Sequence, residues 1–326
     1  MAPAESSTPI RFGLFDSGLG GLSVLRRLHQ LASACQSRTF EFVYLGDTAR
    51  CPYGNREPAE IREFLLQIIS FLANQGVDHL VMACNTSAAI GVDFARQVSP
   101  VPIHDLISPT AKFVASRFRR IGVMATQSTV NSAAFSRQIN YHAPEAQLLE
   151  IACPKLVPLV EAGEVYGDHV KAALMEYSSK LEEFEVEAII LGCTHFPFLA
   201  RALRDLLPDT VQLIDPAEML VRQLVSDLGL NVPVEQTEEP VAFLHPTHPG
   251  VFYTTGSPTT FAQTASICLG KDHASLVPSS DVQLLPLELL RSVATMDADR
   301  PDFGLPSNVV PMPPAKATPD SKIVAP

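Results

Sequence analysis

No stretch of the chain comes near the roughly 20 consecutive apolar residues that span a bilayer, so no membrane helix is expected. The opening, Met1 to Pro9, is polar and lacks the basic and apolar pattern of an export signal, so the expected location is cytoplasmic. There is no CxxC pair among the six cysteines, which argues against a structural zinc site. Without framework spacing in a cytosolic chain, those cysteines read as free, catalytic or metal-binding rather than cross-linked. Positive charge is scarce: 24 Lys and Arg stand against 35 Asp and Glu, for a net charge of −11. That excludes nucleic acid as an expected partner, and an anionic substrate must find its positive potential in backbone N–H groups and helix N-termini. The first glycine-rich turn, Asp16-Ser17-Gly18-Leu19-Gly20-Gly21, lacks the third glycine of a dinucleotide fingerprint, because Ser23 stands there.

What the chain does have is one stretch that occurs twice. Val77-Asp78-His79-Leu80-Val81-Met82-Ala83-Cys84-Asn85-Thr86 returns 109 positions later as Val186-Glu187-Ala188-Ile189-Ile190-Leu191-Gly192-Cys193-Thr194-His195. Each copy is an acidic residue, an apolar run, a small residue, a cysteine and then small polar groups. Such a run reads as a buried parallel strand whose tip opens into a loop. Ligands of open α/β sheets sit just beyond those tips. The same offset carries Arg11 to Phe15 onto Arg120 to Met124, and one further residue of slip carries Val101 to Asp105 near Val211 to Asp215. A period this long signals duplicated domains, since solenoid repeats run about 20–50 residues.

The expected fold is therefore two similar three-layer α/β domains with mostly parallel sheets, related by a pseudo-two-fold, with the active site in the cleft between them. The 326 residues, 46% apolar and 18% charged, can supply a core to each. Residues 10–106 with 217–300 are assigned to the first domain and 107–216 to the second. Residues 1–9 read as a disordered leader and 301–326 as a disordered proline-rich tail. Strands are expected at Ile10 to Phe15, Phe40 to Leu45, Ile121 to Ala125 and Val251 to Gly256. Helices are expected at Leu22 to Ala34, Pro58 to Asn74, Pro109 to Phe118, Ser128 to Ile139, Pro154 to Ala162, Gly167 to Leu181, Phe198 to Leu206 and Ala217 to Leu228. Another should run from the Ser257-Pro258 start signal to Leu269. Gln236 to Pro240 reads as an acidic spacer.

Two cysteines on facing strand tips would flank a bound molecule from opposite sides. That is the arrangement stereoinversion needs: one thiolate removes a proton and the opposite thiol delivers one to the far face. Cys84 precedes a helix start, which is expected to lower its pKa. Asp16 and Asp47 end strands near Cys84; Glu161 and His195 belong with Cys193. These carboxylates and the imidazole can position or exchange protons. Ser17, Asn85, Thr86 and Thr194 offer hydrogen bonds to substrate carboxylate and amine groups. Cys35, Cys51, Cys153, Cys268, His79 and His104 lack such context and read as structural.

Together, Phe15-Asp16-Ser17-Gly18 with Gly20-Gly21, Gly46 to Arg50 with Pro52-Tyr53-Gly54, Ala83-Cys84-Asn85-Thr86, Val157 to Glu161 and Leu191-Gly192-Cys193-Thr194-His195 resemble the glutamate racemases. These are cofactor-independent amino-acid racemases of bacterial cell-wall synthesis, within the aspartate/glutamate racemase family. The resemblance covers roughly residues 10 to 290. It implies catalytic Cys84 and Cys193, the first acting on the D-isomer and the second on the L-isomer. It implies Asp16, Asp47, Glu161 and His195 as assisting groups. Substrate contacts would fall to Asp16, Ser17, Tyr53, Gly54, Asn85, Thr86, Thr194 and His195, with no metal and no cofactor. A homodimer and activation by a cell-wall precursor both occur in the family and are carried as expectations. Phe196 and Cys51 depart from the family pattern at non-catalytic positions. Aspartate racemase, a one-cysteine hydrolase or lyase built on Cys84, and a non-catalytic binding module remain the alternatives.

Overall fold

The computed structural model describes residues 8–35, 37–232, 250–270, 276–278 and 280–298. Most of the expected leader, the acidic spacer and the whole proline-rich tail lie outside the described residues. The chain opens with β1 (Ile10–Asp16), α1 (Leu22–Ala34), β2 (Phe40–Gly46), α2 (Pro58–Asn74), β3 (His79–Met82), α3 (Asn85–Val98) and β4 (Ile103–Asp105). It continues through α4 (Ile107–Ala115), β5 (Arg120–Ala125), α5 (Gln127–Ser132), α6 (Ala134–His142), β6 (Gln147–Ala152), α7 (Leu156–Glu161), α8 (Asp168–Glu183) and β7 (Ala188–Gly192). Then come α9 (Ala200–Arg204), β8 (Gln212–Ile214), α10 (Pro216–Asp227), β9 (Gly250–Thr254), α11 (Pro258–Leu269), β10 (Val282–Leu284) and α12 (Leu287–Ala298).

The strands form two sheets, ordered β10-β9-β2-β1-β3-β4 and β6-β5-β7-β8, and every pairing is parallel. The last four strands of the first sheet, β2-β1-β3-β4, repeat the order of the second. Register repeats too: Phe12 pairs with His79 and Gly13 with Leu80, while Ile121 pairs with Ala188 and Gly122 with Ile189. Each residue is displaced by the same offset as the two cysteines. Leu80 opposes Ile103 and Ile189 opposes Leu213, so the extra residue of slip falls before the last strand of the second unit. The strand-tip turns match as well. Asp47 N donates to Asp16 O at 2.9 Å, and Cys153 N donates to Ala125 O at 2.8 Å.

The central strands of both sheets, β1, β2, β3, β5 and β7, are buried on both faces, which is why they are nearly continuous apolar runs. Side-chain alternation sends Phe12 and Leu14 into one apolar cluster and Phe15 into the other. Each cluster extends into both sheets: Ile189 and Leu191 join the first, Ile121, Val123 and Ile190 the second. The chain passes from the first sheet to the second after Asp105 and returns after Asp215. Both aspartates cap the helix that follows. Asp105 Oδ1 accepts from Ile107 N and Ser108 N at 2.8 Å each, and Asp215 Oδ1 accepts from Ala217 N at 3.0 Å.

Several boundaries differ from expectation for local reasons. The Asp105 cap starts α4 two residues before Pro109. The helix expected over Ser128 to Ile139 is two, broken where Ala133 takes φ 51°. The one expected over Phe198 to Leu206 is a 3₁₀ turn, Phe196–Leu199, followed by α9. Strand β6 was not expected, since Gln147 and Glu150 interrupt its apolar pattern.

Candidate active site

The two cysteines end their strands as the repeat requires. Cys84 is the N-cap residue of α3, and Cys193 follows Gly192 at the end of β7. Hydrogen bonds across the seam bring the tips of the two sheets together. Thr194 Oγ1 donates to Asp16 Oδ1 at 3.1 Å, Ser128 Oγ donates to Gly54 O at 2.6 Å, and the hydroxyls of Thr86 and Thr126 are 2.9 Å apart. Both thiols are enclosed, Cys84 at 3% and Cys193 at 5% exposure.

The surroundings of the two sulfurs are unlike. Cys193 Sγ lies 3.6 Å from His195 Nδ1, and His195 Nε2 lies 2.6 Å from Glu161 Oε1. Burial opposes charge on His195, but hydrogen bonds to Cys193 and Glu161 and their charges outweigh it and hold the imidazole well above its usual range. Burial likewise opposes charge on Glu161, and the His195 hydrogen bond and charge overcome it, so its carboxyl titrates below the usual value. An imidazolium beside Cys193 thus offers a counter-charge to a thiolate. Cys84 faces the opposite influence. Complete burial first, and then the Asp16 charge, push its thiol up to about 11, against hydrogen bonds from Ser87 and Ser17. The lowering expected from the α3 N-terminus is therefore overturned: desolvation exceeds the helix contribution at this depth. Asp16 is itself raised by burial, partly offset by the His195 charge and the Gly18 N–H. The Cys84 tip thus favours the protonated thiol, while the Cys193 tip has an imidazolium beside it.

Asp16, Ser17, Thr86, Thr194, His195, Glu161 and both cysteines therefore converge. Asp47 has a different setting. Its carboxylate accepts from Arg50 Nε at 2.6 Å, from Thr255 Oγ1 at 2.8 Å and from the Tyr53 hydroxyl. Arg50 also donates to Gln67 Oε1 at 2.6 Å. This buried knot fixes the loop that presents Tyr53 and Gly54 to the second lobe. Asn85 stands apart in another way: among the described residues, both polar atoms of its buried amide lack a partner. An orphaned amide is costly in a folded core and is explained when a ligand supplies its partners.

Three residues were not legible as site residues. Cys51, read as structural, lies in the site, with its sulfur 3.9 Å from Glu161 Oε1. Burial, then the charges of Glu161, Asp16, Cys84 and Cys193, push its thiol upward. Thr126 and Ser128 face Thr86 and Gly54. A signal for Thr126 did exist, since the repeat offset carries Ser17 onto it.

Comparison with known proteins agrees with this geometry. Residues 15–224 match the family model Asp/Glu/Hydantoin racemase. A glutamate racemase of Gloeobacter violaceus is 41% identical over 78% of this chain and 90% of its own length. The glutamate racemase of Francisella tularensis, solved in complex with D-glutamate, superposes with a TM-score of 0.71 at 29% identity, covering 85% of this chain and 98% of that one. The Escherichia coli enzyme, solved with L-glutamate and the activator UDP-MurNAc-Ala, shares the fold at TM-score 0.62 and 24% identity, covering 81% and 96%. With paired cysteines at matched strand tips, a duplicated parallel α/β frame and a model match across both lobes, the chain belongs to the Asp/Glu/Hydantoin racemase family.

Proposed function

We propose that this chain is a cofactor-independent glutamate racemase, interconverting L- and D-glutamate and supplying the D-isomer for peptidoglycan in the cytoplasm. The observation that carries the reading is the pair of cysteines at equivalent tips with opposite electrostatic settings. Cys193, as thiolate beside the His195–Glu161 pair, takes the α-proton of L-glutamate. The C–H electron pair passes into the carbanion and its carboxylate. Cys84 gives its S–H proton to the opposite face, forming the D-isomer and leaving a thiolate ready for the reverse reaction. Asn85, Thr86, Ser17 and Thr194 are assigned to the substrate's carboxylate and amine groups, with Tyr53 and Gly54 completing the wall. Asp16 assists Cys84, and Asp47 acts by holding Tyr53 and Arg50. The reading treats 10–106 with 217–300 as one domain and 107–216 as the other, supported by which strands each sheet contains.

Glutamate is favoured over aspartate by the curated relatives. The test is circular dichroism of L-glutamate and L-aspartate turnover with no cofactor added, in wild type and in Cys84→Ala and Cys193→Ala. Glutamate should racemise, and each substitution should abolish it with the melting temperature retained. A near-normal rate in either variant overturns the two-thiol mechanism; faster turnover of aspartate reassigns the substrate. Activation by an anionic cell-wall precursor is a second reading, favoured by a cavity of about 430 Å³ between α3 and α6 whose lining includes Arg62, Arg96 and Arg137. Adding UDP-MurNAc-Ala to the same assay tests it, and an unchanged rate at saturating glutamate rules it out.

A further inference from the structure

We infer that Ser23 is a positioning residue for the Cys193 half of the reaction, its hydroxyl supplying from the opposite lobe the hydrogen bond that Pro197 denies the Thr194 carbonyl. The inference rests on the two-thiol reading above.

After β7 the chain turns tightly. Phe196 N donates to Cys193 O at 3.0 Å and Phe198 N donates to His195 O at 3.2 Å. The same spacing would bond Thr194 O to the N–H of residue 197. That residue is proline, which has none. Thr194 is 4% exposed, so its carbonyl has little access to water, and a buried carbonyl without a donor is disfavoured. Ser23, on α1 and 1% exposed, places its Oγ 2.9 Å from Thr194 O. The hydroxyl is also 2.9 Å from Gly20 O, but that carbonyl already accepts the Ser23 N–H at 3.0 Å. Its single hydrogen is therefore needed at Thr194.

The Thr194 carbonyl belongs to the peptide plane that leads into His195. Fixing that plane fixes the direction from which the imidazole spans Cys193 and Glu161. Neighbours of Ser23 reinforce the seam. Leu19 N, from the same turn, donates to Glu161 Oε1 at 3.2 Å. A Cβ on Gly20 would lie 2.6 Å from Thr194 Oγ1 and would collide with the His195 ring. The glycine-rich turn thus docks on the proton relay of the other lobe, with Ser23 as its donor to the backbone. This gives a reason for serine where a nucleotide-binding turn would carry glycine.

The experiment uses the full chain with Ser23→Ala and, independently, Gly20→Ala. Racemisation is followed from each enantiomer, and the primary isotope effect on kcat/KM is measured with α-deuterated L- and D-glutamate in ordinary water. Loss of one neutral hydrogen bond should lower kcat about 3- to 10-fold in Ser23→Ala, with a larger loss in Gly20→Ala. Slower proton transfer at Cys193 should raise the isotope effect with the enantiomer that Cys193 deprotonates, L under the reading above, and lower it with its mirror image. A smaller folded fraction would reduce the rate and leave both isotope effects unchanged. Unchanged isotope effects in both variants, or wild-type turnover in Ser23→Ala, overturn the inference alone. Absence of racemisation in the wild type takes down the two-thiol reading along with it.

Discussion

Replacing Glu161 with glutamine isolates one charge in the Cys193 relay. All three donors to Glu161 converge on Oε1: His195 Nε2 at 2.6 Å, Leu19 N at 3.2 Å and the Cys51 thiol at 3.9 Å. An amide can place its own oxygen at that point and keep every contact, so the variant loses only the negative charge. A hydrogen bond to a charged group contributes about 1.5–3 kcal/mol and a neutral one about 0.5–1.5, a difference of about 1–1.5 kcal/mol. The Glu161 side chain is 27% exposed, which screens the charge and favours the lower end. The expected result is a fall of about 5-fold in kcat/KM. The pH profile should move as well. His195 is held protonated above its usual range, so activity that depends on the imidazolium is present below that raised value and is lost as pH rises through it. Removing the carboxylate charge lowers the value, and the alkaline limb of kcat/KM should shift to lower pH. Circular dichroism across pH in wild type and Glu161→Gln measures both. A variant within two-fold of wild type, with its alkaline limb unmoved, would refute a charged Glu161–His195 pair as the support of Cys193.

Asn85→Ala should separate stability from function. It removes an amide with no partner among the described residues, so the melting temperature should hold or rise while KM for glutamate climbs; a lower melting temperature with KM intact would show that the amide serves the fold. The His79–His104 contact, Nδ1 to Nε2 at 3.1 Å, predicts an acid-sensitive fold. Burial, then the His79 charge, lower His104 to about 4, and burial lowers His79. A base depressed in the folded state contributes full stability above its unfolded value near 6.5, and that stability is lost as pH falls from there toward 4. Melting curves over that window should fall more steeply in wild type than in His104→Gln, and superimposable curves would exclude the pair as the cause.

Much of the frame was legible because it is written in long apolar runs and repeated at a fixed distance. The strands bearing Cys84 and Cys193 could be read, and so could the helices at Leu22 and Pro58, whose apolar stripes are strong. Strand β6 could not, because Glu150 faces a serine hydroxyl and N–H on α6 rather than solvent. Within the site, most residues attached to strand tips were readable; Thr126, at the tip of β5, was not. Those arriving from loops were harder, because their neighbours come from the other lobe: Cys51 meets Glu161 across 110 positions. Burial was the least visible quantity. A sequence shows that Cys84 precedes a helix, and gives no measure of how completely the other lobe removes water from it.

The unlike neighbours of the two sulfurs have a consequence for how the catalyst divides its effort. L- and D-glutamate have the same free energy in water, so their interconversion has an equilibrium constant of unity, and kcat/KM must be the same from either side. A histidine relay at one thiol and an aspartate at the other therefore cannot make the enzyme favour one hand at low substrate. They can only trade tight capture of one hand against fast turnover of it, leaving handed behaviour to emerge as substrate saturates the cleft.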